Sequence, residues 1–468
     1  MGITAVSKTP SLWKTFLIFL APLMLSNALQ SLFGTVSNAL LGQMIGVDAL
    51  AAVSVFFPVM FFLFAFVMGL STGATVLIGQ AWGAGERDKV KAVAGATLAV
   101  ALVLAITLAL FGGLFSRQLM IALATPPDIL DQASAYARVM LLTMPLGFVF
   151  LLTTAMLRGV GDTLTPLLVL ALSTAIGLVL TPLLIRGGFG LPALGVTGTA
   201  WASAIATALT LFVLGLYLRR RKSPLAPDAE FLRKLRLDGA MLGKILGIGI
   251  PSAVGMVVMA IAELVLLGLV NGFGSDATAA YGAVNQVMGY AQFTAISISI
   301  SVSILGAQAI GGGQAGRLDA IVRTGLLLNL VLTGGLVALI YLFPRAVLGV
   351  FITDTAVLEL AKGLLMIALW SSVPFGMATV FSGAMRAGGA ALAPMLLSIS
   401  AIVAIEIPAA VFLSRTIGLD GVWAPTRSCS ARCSSCNSAI TPWSGVASRC
   451  SGSCEGDKPS IATILRSS

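Results

Sequence analysis

Two carboxylates, Glu263 and Glu406, fall in the middle of long apolar runs. A charged side chain at the centre of a bilayer costs roughly 2.5–3.5 kcal/mol on insertion scales, so each needs a reason to be there. One reason is a proton or cation site facing a polar cavity. The other is a carboxyl that stays protonated or bonds to a neighbouring helix. Glu263 sits among Met259, Ile261 and Leu264 with no basic residue near it, which favours the ion site. Glu406 precedes Pro408 near the end of its run, where a structural hydrogen bond serves at least as well. Uncharged polar residues accompany these acids. Asn27, Gln30, Gly34, Ser37 and Asn38 recur at steps of three and four, which places most of them on one helix face. Such a stripe either lines a substrate cavity or ties helices together. Asn285 and Gln292 share a face seven residues apart, Gln286 and Tyr290 form a neighbouring pair, and serines follow from Ser297 to Ser303.

Much other chemistry is excluded. The chain has no histidine, which removes His-based acid–base catalysis, Ser-His-Asp triads and His metal sites. The stretch from Gly79 to Gly85 lacks the Gly-Lys-Ser/Thr of a phosphate loop. Its recurrence from Gln308 to Gly313 argues for a tight turn instead. Cys429, Cys433, Cys436, Cys450 and Cys454 all lie in the last forty residues at irregular spacing, so no resident metal or other cofactor is expected.

The elements that must hold these residues are spanning helices. Of 468 residues, 58% are hydrophobic and only 10% charged, too few charges to cover a water-facing surface. A span needs roughly 20 mostly apolar residues. Eleven segments qualify, at about 13–40, 51–80, 91–115, 134–157, 163–186, 193–218, 243–271, 278–310, 321–343, 358–385 and 393–415. The first is too long for the apolar core of a signal peptide and is read as a helix. The net charge of +10 lacks the aromatic-interleaved stripe of a nucleic-acid binder. With a cytoplasmic N-terminus, 17 of the 28 Lys and Arg fall in inside segments, 6 in outside segments and 5 in the tail, the bias that orients membrane proteins.

An offset of 228 residues pairs Gly46 with Gly274, Asp48 with Asp276, Gln80 with Gln308, Gly85 with Gly313, Arg117 with Arg345, Arg158 with Arg386, Gly161 with Gly389 and Pro166 with Pro394. Rare residues at one offset mark two copies of a six-helix unit. Six is even, so the copies run parallel, as in transporters whose site lies between the halves. The expected organisation is an N-terminal bundle at 1–218, a basic cytoplasmic linker at 219–242, a C-terminal bundle at 243–424 and an aberrant Ser/Cys/Arg-rich tail at 425–468. The repeat demands a twelfth helix after Gly418-Leu-Asp-Gly421, but Pro425 and the tail arrive instead. A metal or disulfide module and a natural disordered tail are alternatives; a reading-frame error fits the abrupt change best.

The order of Gly46-x-Asp48-x-Leu-Ala-Ala, Gln80-x3-Ala-Gly85, Leu157-Arg-Gly-x-Gly-Asp162-x3-Pro166 and Gly195-x2-Gly198-x-Ala resembles the multidrug and toxic compound extrusion (MATE) family over residues 10–424. The resemblance implies an all-α membrane protein of two six-helix bundles with a V-shaped cavity open alternately to either side. It also implies export of small cationic amphipathic compounds in exchange for sodium or protons. In one branch of the family the helix-seven acid matches Glu263 and a helix-eight glutamine matches Gln286, the implied coupling pair. That branch's helix-ten Asp would fall near Phe375 and is missing. The family's helix-one acid falls at Ser37, and its helix-five Asn and Asp fall at Gly177 and Thr181. From their own polarity and spacing, the candidate substrate contacts are Asn27, Gln30, Ser37, Asn38, Asn285 and Tyr290, with Glu406 as a secondary acid. The expectation is a monomeric multi-pass efflux antiporter of the inner membrane. A flippase for lipid-linked saccharides is the alternative within the wider superfamily, although no Lys or Arg lies mid-span to hold a pyrophosphate. A membrane-embedded enzyme is disfavoured, because no His exists and the two acids stand on distant segments.

Overall fold

The computed structural model describes residues 12–187, 193–235, 238–352 and 354–416, and among them it is helical with no strand. Among the described residues, eleven helices are long and apolar enough to span a membrane. They are α1 (Leu12–Met44), α2 (Val47–Gly83), α3 (Arg87–Leu114), α4 (Leu130–Gly159), α5 (Leu164–Arg186), α6 (Val196–Arg220), α7 (Gly239–Asn271), α8 (Ser275–Gly311), α9 (Ala315–Leu342), α10 (Thr355–Ala387) and α11 (Leu392–Phe412). Each coincides with one of the eleven expected segments. The positions 425–468, with the cysteines and the missing twelfth helix, lie outside the described residues.

Packing divides the chain into two compact units, Met1–Ile261 and Ala262–Ser468. The division falls inside α7, two residues before Glu263. In the first unit α4 packs on α2, α3 and α6, while α1 and α6 flank α5. In the second, α8 packs along α10 and against α9. The first half of α7 belongs to the first unit, where Gly249 lies against the α2 backbone at Gly69. Small residues there allow the close approach that drives helix association in lipid, where the hydrophobic effect supplies little.

The repeat is visible in the backbone. The helices α2 and α8 both contain 37 residues, and each follows a glycine of positive φ, Gly46 at 118° and Gly274 at 101°. The turns after α4 and α10 hold Gly161 at φ 95° and Gly389 at 83°. Asp162 N donates to Leu157 O over 3.0 Å, and Ala390 N donates to Met385 O over 3.0 Å. These six-to-one bonds close a Schellman cap, which uses a left-handed residue to satisfy orphan carbonyls. The turns after α2 and α8 have the same form at Gly85 and Gly313, as the Gly-rich stretches led one to expect.

The two copies solve one helix crossing in reciprocal ways. In the first unit Gly159 of α4 faces Ile78 of α2, and a Cβ at Gly159 would lie 3.0 Å from Ile78 Cγ2. At the equivalent crossing the glycine is Gly306 on α8, and a Cβ there would lie 2.9 Å from Ala387 Cβ. One partner must be glycine for the axes to approach. Gly306→Ile should therefore destabilise the protein by about 1–3 kcal/mol through overpacking. Adding Ala387→Gly, which recreates the first unit's pairing, should recover most of that loss. Thermal unfolding of the two variants in one detergent checks this; equal melting temperatures for the single and double variants would contradict it.

The basic linker is a packed element. Leu225, Ala226 and Phe231 are buried in the core of the first unit. Lys91 of α3 bonds Glu230 and stands 3.5 Å from Asp228, while Lys234 pairs with Asp88 at 3.6 Å and Glu230 at 3.5 Å. A hydrogen bond from the Phe231 amide, and then the Lys91 ammonium, hold the Asp228 carboxyl below its ordinary range. The Lys91 hydrogen bond does the same for Glu230. Carboxyls depressed in the folded state contribute stability above their unfolded pKa and lose it as pH falls through the folded value. Amide protection across residues 225–234, measured against intrinsic exchange at each pH, should therefore fall on acidification below the ordinary carboxylate range. Lys91→Gln should give fast exchange already at neutral pH, and unchanged protection in that variant would contradict the latch.

Three spans of the second unit are irregular. A π-turn interrupts α9 at Asn329–Thr333, a 3-10 turn breaks α10 at Leu369–Ser371, and a second π-turn lies in α11 at Ile402–Glu406. Asn329 is fully buried, donates to Val373 O of α10 over 3.2 Å and accepts from Thr333 Oγ1 over 3.0 Å. Such irregular turns concentrate at functional sites.

Candidate functional site

In the second unit the chemistry gathers around α8. Tyr281 is buried one helical turn before Asn285, and it lies within electrostatic reach of both Glu263 on α7 and Glu406 on α11. Two acids far apart in sequence thus both act electrostatically on one phenol. Glu263 lies on an exposed stretch of α7 beside Leu264 and Val265. Glu406 is half-buried and closes the π-turn of α11, one residue before Ile407-Pro408.

A second polar column runs beside the first on α8. Gln286 Nε2 donates to Tyr290 Oη over 3.5 Å, and both side chains are exposed, whereas Asn285 is half-buried. The i, i+4 pairs Tyr281–Asn285 and Gln286–Tyr290 are adjacent rows of one helix. Carboxylate, phenol and amide oxygens are hard donors, suited to a proton or an alkali cation rather than to a transition metal. Among the described residues no three His, Cys, Asp or Glu side chains come together to hold a metal ion. Tyr281 was missed in the sequence. Its signal was present, an aromatic hydroxyl four residues before Asn285, but it reads as one more core residue without knowledge of where Glu406 points.

In the first unit the polar stripe of α1 holds Asn27 and Ser37 half-buried and Gln30 exposed, while the Asn38 side chain lies outside the described residues. The neighbouring α5 supplies no partner acid. A Cβ at Gly177 would lie 3.1 Å from the Phe33 ring of α1, and Thr181 Oγ1 donates back to Gly177 O over 2.7 Å. Where the resembled family places an Asn and an Asp, this chain has an aromatic contact and a self-satisfied hydroxyl. A small apolar cavity of about 170 Å³ opens between α2, α4 and α6, lined by Met60, Phe64, Met140 and Met144 among others. Methionine surfaces adapt to apolar guests of varied shape.

The MatE family model matches residues 22–183 and again 251–412, two stretches covering more than half of the chain. The chain belongs to the MatE family. The two matches stand 229 residues apart, one residue from the offset that the rare residues give. The chain is 42% identical over 423 residues to the probable multidrug resistance protein YoeA of Bacillus subtilis, covering 90% of this chain and 91% of that one. It is 27% identical over 424 residues to the probable multidrug resistance protein NorM of Thermotoga maritima, covering 89% of each. The crystal structure of a MATE protein in its bent conformation matches with a TM-score of 0.85 at 21% identity, over 94% of this chain and 98% of that one, which speaks for the fold. This MatE protein is therefore a multi-pass membrane transporter of small molecules and not an enzyme.

Proposed function

We propose that this protein is a secondary active antiporter that exports small cationic amphipathic compounds by alternating access, in exchange for sodium or protons. The observation that carries the proposal is that Glu263 and Glu406 both lie within electrostatic reach of the buried Tyr281 inside one unit. Support for drugs as cargo comes from the relatives named as multidrug resistance proteins. Glu263 is the coupling carboxylate and Gln286 offers a neutral oxygen to the same ion. Glu406 is a secondary acid that adds negative field without being the site of exchange. Asn27, Gln30, Ser37 and Asn38 on α1, with Asn285 and Tyr290 on α8, are the polar substrate contacts. The protein works as a monomer in the inner membrane with its N-terminus in the cytoplasm, built from repeat-related bundles at 1–218 and 243–424, and needs no resident cofactor.

The mechanism follows from competition. Sodium and a cationic substrate both need ionised Glu263, while a proton neutralises it, so one carboxylate serves only one of them at a time. Each ligand shifts the inward–outward balance by its differential affinity for the two states, which is what exchange requires. Expression in an efflux-deficient bacterium should raise the inhibitory concentration of cationic amphipathic dyes, and everted vesicles should accumulate such a dye when a sodium or a proton gradient is imposed. Dye accumulation that ignores both gradients would overturn the proposal.

A further inference from the structure

At the linker end of the first unit a cavity of about 430 Å³ opens between the start of α3, the end of α6 and the linker. Its walls carry Arg87, Lys91, Arg219 and Lys222 against two carboxylates, Asp88 and Asp228. Both carboxylates are already engaged, Asp228 by Lys91 at 3.5 Å and Asp88 by Lys234 at 3.6 Å. Arg219 donates through Nε and one terminal nitrogen to Pro227 O, at 2.9 and 2.6 Å, a bond that fixes the guanidinium and leaves its charge uncompensated. Arg87, Arg219 and Lys222 thus face the cavity with no ion pair to any described residue.

Lys222 is held there against backbone preference. It occupies the left-handed position of the cap that ends α6, with φ 49°, and Ser223 N closes the six-to-one bond to Leu218 O over 3.1 Å. The same position after α2, α4, α8 and α10 is glycine. A lysine in this conformation is strained where glycine is not. Strain kept at one cap, with the charge it brings to a cavity wall, points to a use for that charge.

We propose that this cavity binds a phosphate ester. Two guanidiniums and the Lys222 ammonium, beside a Lys91 already shared with Asp228 and Glu230, match the several oxygens of a phosphate, and arginine forks pair with them bidentately. The cavity exceeds what a bare phosphate fills, so it has room for the ester's alcohol. It lies at the ends of two helices long and apolar enough to span a membrane, where a headgroup would be in reach. The phosphate comes either from an anionic phospholipid or from a soluble phosphate compound. The site is separate from the Glu263 group and does not depend on the substrate or ion proposed above.

The test uses the purified full chain in detergent, with the unfolding temperature followed against added short-chain phosphatidylglycerol, inorganic pyrophosphate and, as a zwitterionic control, short-chain phosphatidylcholine. Stabilisation by phosphatidylglycerol alone assigns a lipid headgroup, and stabilisation by pyrophosphate as well assigns a soluble phosphate; the control should do neither. Arg87→Gln and Lys222→Gly should each weaken the effect roughly five-fold, as expected for one charge near an anionic headgroup. Lys222→Gly also relieves the cap, so without ligand it should melt no lower than the parent, which separates lost binding from lost folding. Arg220→Gln, which removes a neighbouring charge outside the cavity, should leave the response unchanged. The proposal is overturned if neither phosphate compound stabilises the parent, if phosphatidylcholine does so equally, or if Arg220→Gln weakens the response as much as Arg87→Gln.

Discussion

Everted vesicles carrying Glu263→Gln should show no gradient-driven dye accumulation, a loss of at least about ten-fold under a sodium or a proton gradient alike. The amide keeps the shape of the carboxyl and removes the charge for which substrate and counter-ion compete, so the variant should still fold and bind dye at equilibrium. Removing a charge that a cation contacts in a low-dielectric site costs roughly 2 kcal/mol or more of differential affinity, enough to abolish coupling. Glu406→Gln should do much less, because its half-buried carboxyl contributes field at Tyr281 rather than the exchange site. Normal accumulation by Glu263→Gln under both gradients would contradict this assignment and move attention to Glu406 or to Ser37 and Asn38.

A second large effect is expected at Gly376. In α10 this glycine lies directly against the buried amide of Asn329, the residue that opens the π-turn of α9. A leucine there would collide with the amide and with the bond from Asn329 to Val373 O. Overpacking of 1–3 kcal/mol combined with the loss of about 1 kcal/mol of net hydrogen bonding should leave Gly376→Leu poorly folded. Gly376→Ala should destabilise less, and Asn329→Ala should make part of that loss disappear, because both changes act on one contact. Strictly additive unfolding temperatures across the four-member cycle would refute that coupling.

What could be read in advance follows from the solvent. Lipid enforces helices, so apolar length alone located the eleven spans. The offset of 228 predicted paired turns because Gly46, Gly85 and Gly161 and their partners are dictated by positive φ, which few residue types tolerate. The electrostatic reach of Glu263 and Glu406 to Tyr281 was not legible, because it joins three helices. Nor was the π-turn at Ile402–Glu406, since an extra residue in a helical turn leaves no mark in an all-apolar sequence. The packed linker was half legible. Its charges were evident, but the burial of Leu225, Ala226 and Phe231 and the exchange of partners among Lys91, Asp228 and Glu230 require contacts across more than a hundred residues. The reciprocal glycines at 159 and 306 escaped notice because each pairs with a non-glycine at the repeat offset, so comparison of the two halves conceals them.

The central claim is that export is tied to counter-ion movement through Glu263. Purified protein in liposomes loaded with a cationic dye, with no imposed ion gradient, tests it directly when dye efflux, sodium influx and internal pH are followed together. The account predicts that dye leaving the parent protein is matched by entry of sodium or protons in fixed proportion, and that Glu263→Gln abolishes both flows together. Dye efflux without accompanying ion entry, or unchanged ion entry in Glu263→Gln, would contradict it.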